Sequence, residues 1–270
     1  MVKNFNEFIE ENYTNPVESS KDAPDCLLKI VQYLNTVSFQ TSKERDGRVG
    51  SIKDEDDCIE LLKKSTDFDV FEDKDYTINP DRISCIIPKI REWFDIEVVY
   101  NNKHYYVNIK SSNLKTFDNV GSSSAILFGL FGKKVSLKNK TKADQYAELF
   151  FEYNKCEENG YDNINDIDYY FLVINKNKTN NVFITSLNHI NKDSIKPNGS
   201  NLPFQCNWSK NSLEIKLSKS KICDIVIETI FNSLIKSIDF FEKEPIKIYM
   251  DKHNKKVNTP TLWENKENDL

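Results

Sequence analysis

Histidine and paired cysteine, the usual ligands of zinc, are scarce in this sequence. The chain of 270 residues contains three histidines and six cysteines, and no two cysteines form a Cys-x-x-Cys pair. A Cys/His zinc site requires clustered ligands, so the sequence argues against such a site and against a histidine-based catalytic triad. We expect the cysteines to be buried free thiols in a reducing compartment.

Long apolar runs are also absent. The longest stretch without a charged residue, 119–132, contains several serines and glycines and is not a bilayer span. Residues 1–11 lack the apolar centre of a signal peptide. Hydrophobic residues make up 39% of the chain and charged residues 29%, the balance of a globular protein. The sequence therefore predicts a cytoplasmic protein with no membrane partner.

A large excess of positive charge is missing as well. The formal net charge is −5, which argues against a protein that passively coats nucleic acid. The charge is uneven, however, because the segment Lys133 to Lys142 carries five lysines and no acidic residue. An acidic enzyme with one basic surface can still bind DNA. Since histidine is rare, we expect any chemistry to rely on carboxylates, lysine and a hard metal ion.

No internal repeat, low-complexity segment or glycine/serine hinge divides the chain. We predict one domain with an N-terminal helical region at 1–44, a core at 45–190, a segment ending in a helix at 191–250, and a loose tail at 251–270. Predicted helices are 4–12, 24–37, 51–65, 141–154 and 222–241, and predicted strands are 94–100, 104–110, 169–174 and 181–186. We expect 83–93 to be an irregular or helical approach to the sheet. Strands flanked by helices predict an α/β fold with a central mixed β-sheet.

The first two predicted strands are joined by Asn101-Asn102, which suits a tight primed turn because asparagine tolerates positive φ. With a two-residue loop, the residues on either side of the loop pair directly, and counting back places Asp95 opposite Asn108. Side chains alternate along a strand, so Lys110 shares the face of Asn108. Three polar groups therefore converge at one end of this hairpin.

This trio suits metal-dependent hydrolysis of phosphodiesters. A carboxylate such as Asp95 can hold Mg²⁺, which lowers the pKa of a bound water and neutralises charge on the scissile phosphate. Lys110 can orient the attacking water and stabilise the charged transition state. Asn108 stands where a second carboxylate is more usual. Its amide oxygen can still coordinate a metal, although it brings no charge.

Asp95, twelve intervening residues and Asn108-Ile109-Lys110 resemble the motif of the PD-(D/E)xK nuclease superfamily. In particular they resemble the branch of bacterial type II restriction endonucleases with an Asn-Ile-Lys form of the motif. The neighbouring segments that also resemble these enzymes are 92–97, 107–112, 117–119 and 201–208. The resemblance covers about residues 45–210 and implies a restriction-endonuclease-like core. It also implies Mg²⁺-dependent cleavage of double-stranded DNA at a short specific site, with 5′-phosphate ends.

In these nucleases a glutamate on the helix before the core often completes the metal site, and Glu55 is the best match. Glu55 lies on an apolar stripe with Ile59 and Leu62, so we expect it to face inward while Asp54 faces solvent. Glu97, on the same face as Asp95, is the alternative ligand. The number of Mg²⁺ ions, one or two, is left open.

The resemblance further implies a homodimer that matches a palindromic site, and a cognate DNA methyltransferase as functional partner. The predicted helix at 222–241 suits a dimer interface or the core equally well. Asp118 and Asn119 could contact base edges or cap a helix. The residues predicted to contact DNA are Arg48, Ser111, Ser112, Asn113, Lys115, Asp118, Asn119, Gln205 and Asn207. The alternatives are a structure-specific repair or recombination nuclease of the same fold, and a non-catalytic DNA-binding protein.

Overall fold

The structure, a computed structural model, describes residues 18–37, 47–72, 76–89, 92–198, 203–211, 214, 216–234 and 242–255, without the side chains of 47–49. The predicted helix at 4–12 and the side chain of Arg48 lie outside this description. The chain divides into two compact units. The first comprises 1–118, 168–195 and 206–217, and the second 119–167, 196–205 and 218–270. The prediction of a single domain, with its internal boundaries, stays a prediction.

A six-stranded mixed sheet flanked by helices confirms the predicted α/β class. The strands of the chain are β1 (Phe68–Phe71), β2 (Ile83–Ile86), β3 (Ile96–Tyr100), β4 (Lys103–Ser112), β5 (Asp118–Asn119), β6 (Tyr170–Asn175), β7 (Val182–Ser186), β8 (Ile195–Pro197) and β9 (Phe204–Cys206). The large sheet has the order β1-β2-β3-β4-β6-β7, in which β1/β2 and β4/β6 pair in parallel. Its other neighbouring strands are antiparallel. The three short strands form a second sheet of order β5-β9-β8.

Two helices, α1 (Asp25–Thr36) and α2 (Gly47–Lys64), contribute to the apolar core that covers one face of the large sheet. Helix α1 buries an apolar stripe, with Leu27 and Leu34 at most 1% exposed. Along β3 and β4, alternate residues such as Val98 and Ile109 join this core, and the residues between them face the other way. Burying this apolar stripe is what holds each short helix on the sheet.

The hairpin of β3 and β4 has the predicted turn and register. Asn101 and Asn102 both have positive φ, 51° and 59°, and Tyr100 pairs with Lys103. These are the φ values that a two-residue primed turn requires.

The second unit contains helices α3 (Ser123–Phe131), α4 (Lys142–Asn159), α5 (Lys219–Leu234) and α6 (Glu244–Lys252). One face of α4 is buried, and the Phe150 ring on that face lies 6.4 Å from Phe231 on α5 and 5.0 Å from Tyr249 on α6. The apolar stripe of α5 is fully used within the unit, since Ile222, Val226, Ile227 and Ile230 are all 0% exposed. Of the two roles left open for this helix, the structure supports the core.

One local prediction was wrong. Ile83–Ile86 is a strand and not an irregular or helical approach, because its four residues are buried and pair on both sides with β1 and β3. Helix α6 includes the first two residues of the predicted tail, 251–270, and residues 256–270 lie outside the described part of the chain. Among the described residues, none of the helices combines the length and apolar composition that a membrane span requires.

Candidate active site

Asp95 lies immediately before β3, where the regular pairing of β3 with β4 ends. Its backbone N–H donates to the carbonyl of Val107 at 3.0 Å. Its Oδ2 atom accepts the backbone N–H of Ile109 at 2.7 Å. The carboxylate thus accepts a hydrogen bond from β4 that a backbone carbonyl of the neighbouring strand would otherwise accept. This contact holds the Asp95 carboxylate beside the tripeptide Asn108-Ile109-Lys110, as the hairpin register predicts.

The side chain of Asn108 ends in a buried acceptor. The residue is 8% exposed, and its Oδ1 atom has no hydrogen-bond partner among the described residues. Buried polar atoms are almost always satisfied, so an orphaned acceptor calls for an explanation such as a bound ion or ligand. A carbonyl-type oxygen of this kind is a ligand that Mg²⁺ accepts.

Lys110 follows Asn108 on the same face of β4 and is half-buried. Beyond it, the Ser112 hydroxyl donates to Oδ2 of Asp118 at 2.5 Å. Burial raises the pKa of Asp118, while Ser112, Trp208, Lys110 and Lys176 act in the opposite direction. The carboxyl end of β4 therefore places the Lys110 ammonium close to a second, partly buried carboxyl group.

Two neighbouring acidic residues of helix α2, Asp54 and Glu55, differ in burial, and the inward one is not the one predicted. Asp54 is 0% exposed, as are Cys58 and Leu62, whereas Glu55 is only half-buried. The buried stripe therefore begins at Asp54 and Cys58, each one residue earlier in the chain than the predicted Glu55 and Ile59. Glu55 borders this stripe. Burial raises the pKa of the Cys58 thiol, and the charges of Cys85, Glu55 and Asp95 raise it further.

Asp54 joins α2 to the ends of two strands. Its Oδ2 atom accepts a hydrogen bond from the Ser111 hydroxyl and lies 3.9 Å from Nζ of Lys176. The same ammonium donates to the Ser51 hydroxyl at 3.2 Å. Asp54 and Lys176 were both missed from the sequence. The 54/58/62 spacing could have revealed Asp54, but Lys176 reaches the site only through the parallel pairing of β4 with β6.

Glu97, the alternative metal ligand, is engaged elsewhere. It pairs with Tyr106, two residue pairs closer to the turn than Asp95 and Asn108, and its Oε1 atom lies 2.8 Å from Nδ1 of His104. This partner holds the carboxylate against the exposed His104 ring.

Asp95, Glu55 and Asn108 together offer two carboxylates and one neutral oxygen, a donor set suited to a hard cation. The orphaned Oδ1 of Asn108 fits this use. Within the described ranges, no group of three or more His, Cys, Asp or Glu residues is placed to hold a metal ion. The amide oxygen would therefore have to serve as a ligand in its own right.

No protein-family model matches this chain, and no curated protein matches it either. What the site does must therefore be argued from its own geometry.

Three of the predicted DNA contacts are buried and have internal partners. Ser111 points to the α2 face and bonds Asp54. Ser112 is 1% exposed, and its hydroxyl bonds Asp118 and the backbone N–H of Leu114. Asn207 is 4% exposed and caps a short turn by accepting the Ser209 N–H at 3.2 Å. These side chains support the site and are not available to DNA, because their polar atoms are already used inside the fold.

Asn113 and Lys115 occupy the loop after β4. Oδ1 of Asn113 accepts the backbone N–H groups of Lys115 and Thr116 at 2.9 and 3.1 Å, which shapes the loop as an Asx turn. The Lys115 side chain is exposed. The predicted DNA contact at this lysine therefore stays a prediction.

Asp118 and Asn119 form β5, and the alternative that they cap a helix is wrong. Helix α3 is capped instead by the Ser122 hydroxyl, which accepts the Ala125 N–H at 3.3 Å. Oδ1 of Asn119 accepts hydrogen bonds from Nδ2 of Asn198 at 3.0 Å and from Nε2 of Gln205 at 3.3 Å. Asn119 is exposed and Gln205 is half-buried, so both amides stay candidates for base contacts.

The lysine-rich segment is partly neutralised within the second unit. Nζ of Lys133 lies 3.4 Å from Glu152, and Nζ of Lys140 lies 2.7 Å from Glu148. A lysine that already faces a carboxylate contributes less to the release of counterions from DNA. The segment is thus a weaker phosphate-binding surface than its sequence indicates.

Proposed function

We propose that this chain is a Mg²⁺-dependent, site-specific endodeoxyribonuclease of the type II restriction class. One observation carries the proposal: the Asp95 carboxylate is bound to the backbone of the Asn108-Ile109-Lys110 tripeptide, beside an orphaned amide oxygen. A carboxylate, a neutral oxygen and a lysine at one strand end suit phosphodiester hydrolysis. The resemblance of these residues to an Asn-Ile-Lys nuclease motif supports the same conclusion.

Asp95, Asn108 and Glu55 would hold one or two Mg²⁺ ions. When bound, Mg²⁺ supplies a water of lowered pKa and neutralises charge on the phosphate. Lys110 orients the attacking water and stabilises negative charge as it develops on the phosphate. Asp54, Ser111 and Ser112 hold the end of β4 against α2 and Asp118, which keeps Asn108 and Lys110 in place.

The test is a digest of unmethylated phage DNA with the purified chain, in Mg²⁺ or in EDTA, beside two variants. We expect discrete fragments with 5′-phosphate ends in Mg²⁺ only. Asp95→Asn should abolish cleavage by removing the carboxylate charge. The control Glu97→Gln, which changes a carboxylate on the same face, should cleave as the unsubstituted chain does. Intact DNA in every lane, on a substrate carrying all short palindromes, would overturn the proposal.

A second candidate function rests on Asn108. Because a neutral amide stands where a second carboxylate is more usual, the chain could bind a DNA site without cutting it. Retarded but intact DNA in every metal, with Asp95→Asn behaving like the unsubstituted chain, would identify such a binding protein. Cleavage of branched or mismatched DNA without discrete plasmid bands would instead identify a structure-specific repair or recombination nuclease.

The proposed partners follow from the proposed reaction. A symmetric, palindromic DNA site would be cut by a homodimer, and a cognate methyltransferase would protect the same site in the host DNA. Sedimentation of the chain, with and without DNA that carries the cleavage site, tests the dimer directly.

A further inference from the structure

Gln205 lies on the outer side of strand β9, and its amide has one fixed partner. The two flanking residues, Phe204 and Cys206, are 0% exposed, whereas Gln205 is half-buried, as expected from the alternation of side chains along a strand. Nε2 of Gln205 donates to Oδ1 of Asn119, on the neighbouring strand β5, at 3.3 Å. The glutamine amide is thus attached to its own sheet by a single hydrogen bond.

Asn119 is itself held in one orientation. Its Oδ1 atom accepts a second hydrogen bond from Nδ2 of Asn198 at 3.0 Å, and Asn198 is only 6% exposed. An amide oxygen has two lone pairs, so both acceptor positions of Asn119 are occupied. If the Asn119 amide turned over, it would present N–H groups to two donors and lose both bonds. All three residues belong to the second unit.

The outward edge of the Gln205 amide carries one acceptor and one donor. Its Oε1 atom has no hydrogen-bond partner within the described part of the chain, and solvent reaches it. One hydrogen of the NH₂ group is also left over, because Asn119 accepts only one of the two. The bond to Asn119 requires the nitrogen on that side, so the acceptor and the donor cannot exchange places.

We propose that Gln205 determines sequence specificity by reading an adenine in the major groove, with Oε1 accepting from N6 and Nε2 donating to N7. This inference rests on the proposed function. Adenine is the one base that offers a donor and an acceptor side by side in that groove. Guanine offers two acceptors there, cytosine a donor and thymine an acceptor. A glutamine free to turn would also suit the bases that offer acceptors, whereas an amide held by Asn119 and Asn198 discriminates against them.

The experiment selects duplexes with a randomised central segment for binding to the chain, with Ca²⁺ in place of Mg²⁺ so that binding is measured without turnover. Sequencing the retained duplexes gives the preferred site, in which we expect adenine. Gln205→Ala should reduce the preference for adenine at one defined position by about tenfold and leave the other positions unchanged. The matched control is Gln145→Ala, because Gln145 is a half-buried glutamine of the same unit whose Nε2 donates to the carbonyl of Lys140. It should select the same site as the unsubstituted chain.

The orienting role of Asn119 is tested by two substitutions. Asn119→Asp keeps an acceptor for both donors, so the preference for adenine should persist, although the added negative charge weakens binding to every sequence. Asn119→Ala removes the acceptor, and the preference for adenine over guanine should fall towards that of Gln205→Ala. An undiminished preference in Asn119→Ala would overturn the orienting role.

The decisive comparison places 7-deazaadenine, which lacks the N7 acceptor, at the selected adenine. The unsubstituted chain should bind this duplex about tenfold more weakly than the unmodified one, whereas Gln205→Ala should bind both equally. An equal loss in both proteins would show that another residue reads N7 and would overturn the inference. If Gln205→Ala does not fold, unchanged binding of the modified duplex by the unsubstituted chain would overturn the inference by itself.

Failure of this inference and failure of the proposed function give different results. A preferred site without adenine, or one that Gln205→Ala abolishes at every position, would overturn the role of Gln205, while discrete Mg²⁺-dependent fragments from the unsubstituted chain would still support the nuclease. Absence of any preferred site would overturn both the role of Gln205 and the site-specific part of the proposed function.

Discussion

Replacing Asp54 should destabilise the first unit far more than replacing its neighbour Glu55. Asp54→Ala removes the partner of the buried Ser111 hydroxyl, and a hydrogen bond to a charged group contributes about 1.5–3 kcal/mol. The Lys176 ammonium is 3.9 Å away and its side chain is 23% exposed, so solvent screening limits that pair to about 0.5 kcal/mol. The expected loss in the free energy of unfolding is therefore about 2–3.5 kcal/mol.

Urea unfolding followed by tryptophan fluorescence is the assay, because Trp93 and Trp208 both lie in the first unit. With a slope of about 2–3 kcal/mol per molar urea, the midpoint should fall by about 1 M for Asp54→Ala. Glu55→Ala changes a half-buried side chain, and its midpoint should shift by less than about 0.3 M. In the double variant Asp54→Ala/Ser111→Ala, the loss in the free energy of unfolding should be smaller than the sum of the two single losses, since both substitutions remove the same hydrogen bond. An unchanged midpoint for Asp54→Ala, or an equal shift for Glu55→Ala, would refute this reasoning.

Two further predictions concern stability. Burial lowers the pKa of His189 from 6.5, although Asp22 acts in the opposite direction. Between pH 6.5 and the lowered pKa, the unfolded chain binds a proton at His189 that the folded chain does not. The free energy of unfolding should therefore fall as pH drops through this range. His189→Gln should make the urea midpoint less dependent on pH there. Gly132 has φ of 71°, and a Cβ there would lie 2.2 Å from Cδ1 of Ile167. Gly132→Ala should therefore cost about 1–2 kcal/mol in thermal unfolding, and an unchanged melting temperature would contradict this.

The hairpin was predictable because its determinants are local. The turn chemistry of Asn101-Asn102 and the alternation of side chains were enough to place Asp95 beside Asn108. The apolar pattern of Ile59 and Leu62 predicts an inward face that includes Glu55, whereas the fully buried residues of α2 are Asp54, Cys58 and Leu62. A buried aspartate defies the usual burial preference and is hard to foresee without its partners.

Lys176 could not have been assigned from the sequence. Nothing in the local pattern links it to Asp54, since the two residues meet only when β4 and β6 pair in parallel. The strand at Ile83–Ile86 was not predicted because it is short. A run of four residues is too short for side-chain alternation to distinguish a strand from another apolar segment. Non-local pairing was therefore the part of the fold that pattern analysis left out.

The parallel pairing of β4 with β6 has a consequence for the order in which the site folds during synthesis. Segment 119–167 of the second unit lies between these strands in the chain, so Asn108 and Lys110 are made well before Lys176. At about 5–20 residues per second, the ribosome needs several seconds to add the missing strand. A nascent chain that carries the Asp95…Lys110 motif still lacks Lys176 and the strand that pairs with β4. The motif therefore reaches its folded arrangement only after that strand has been made.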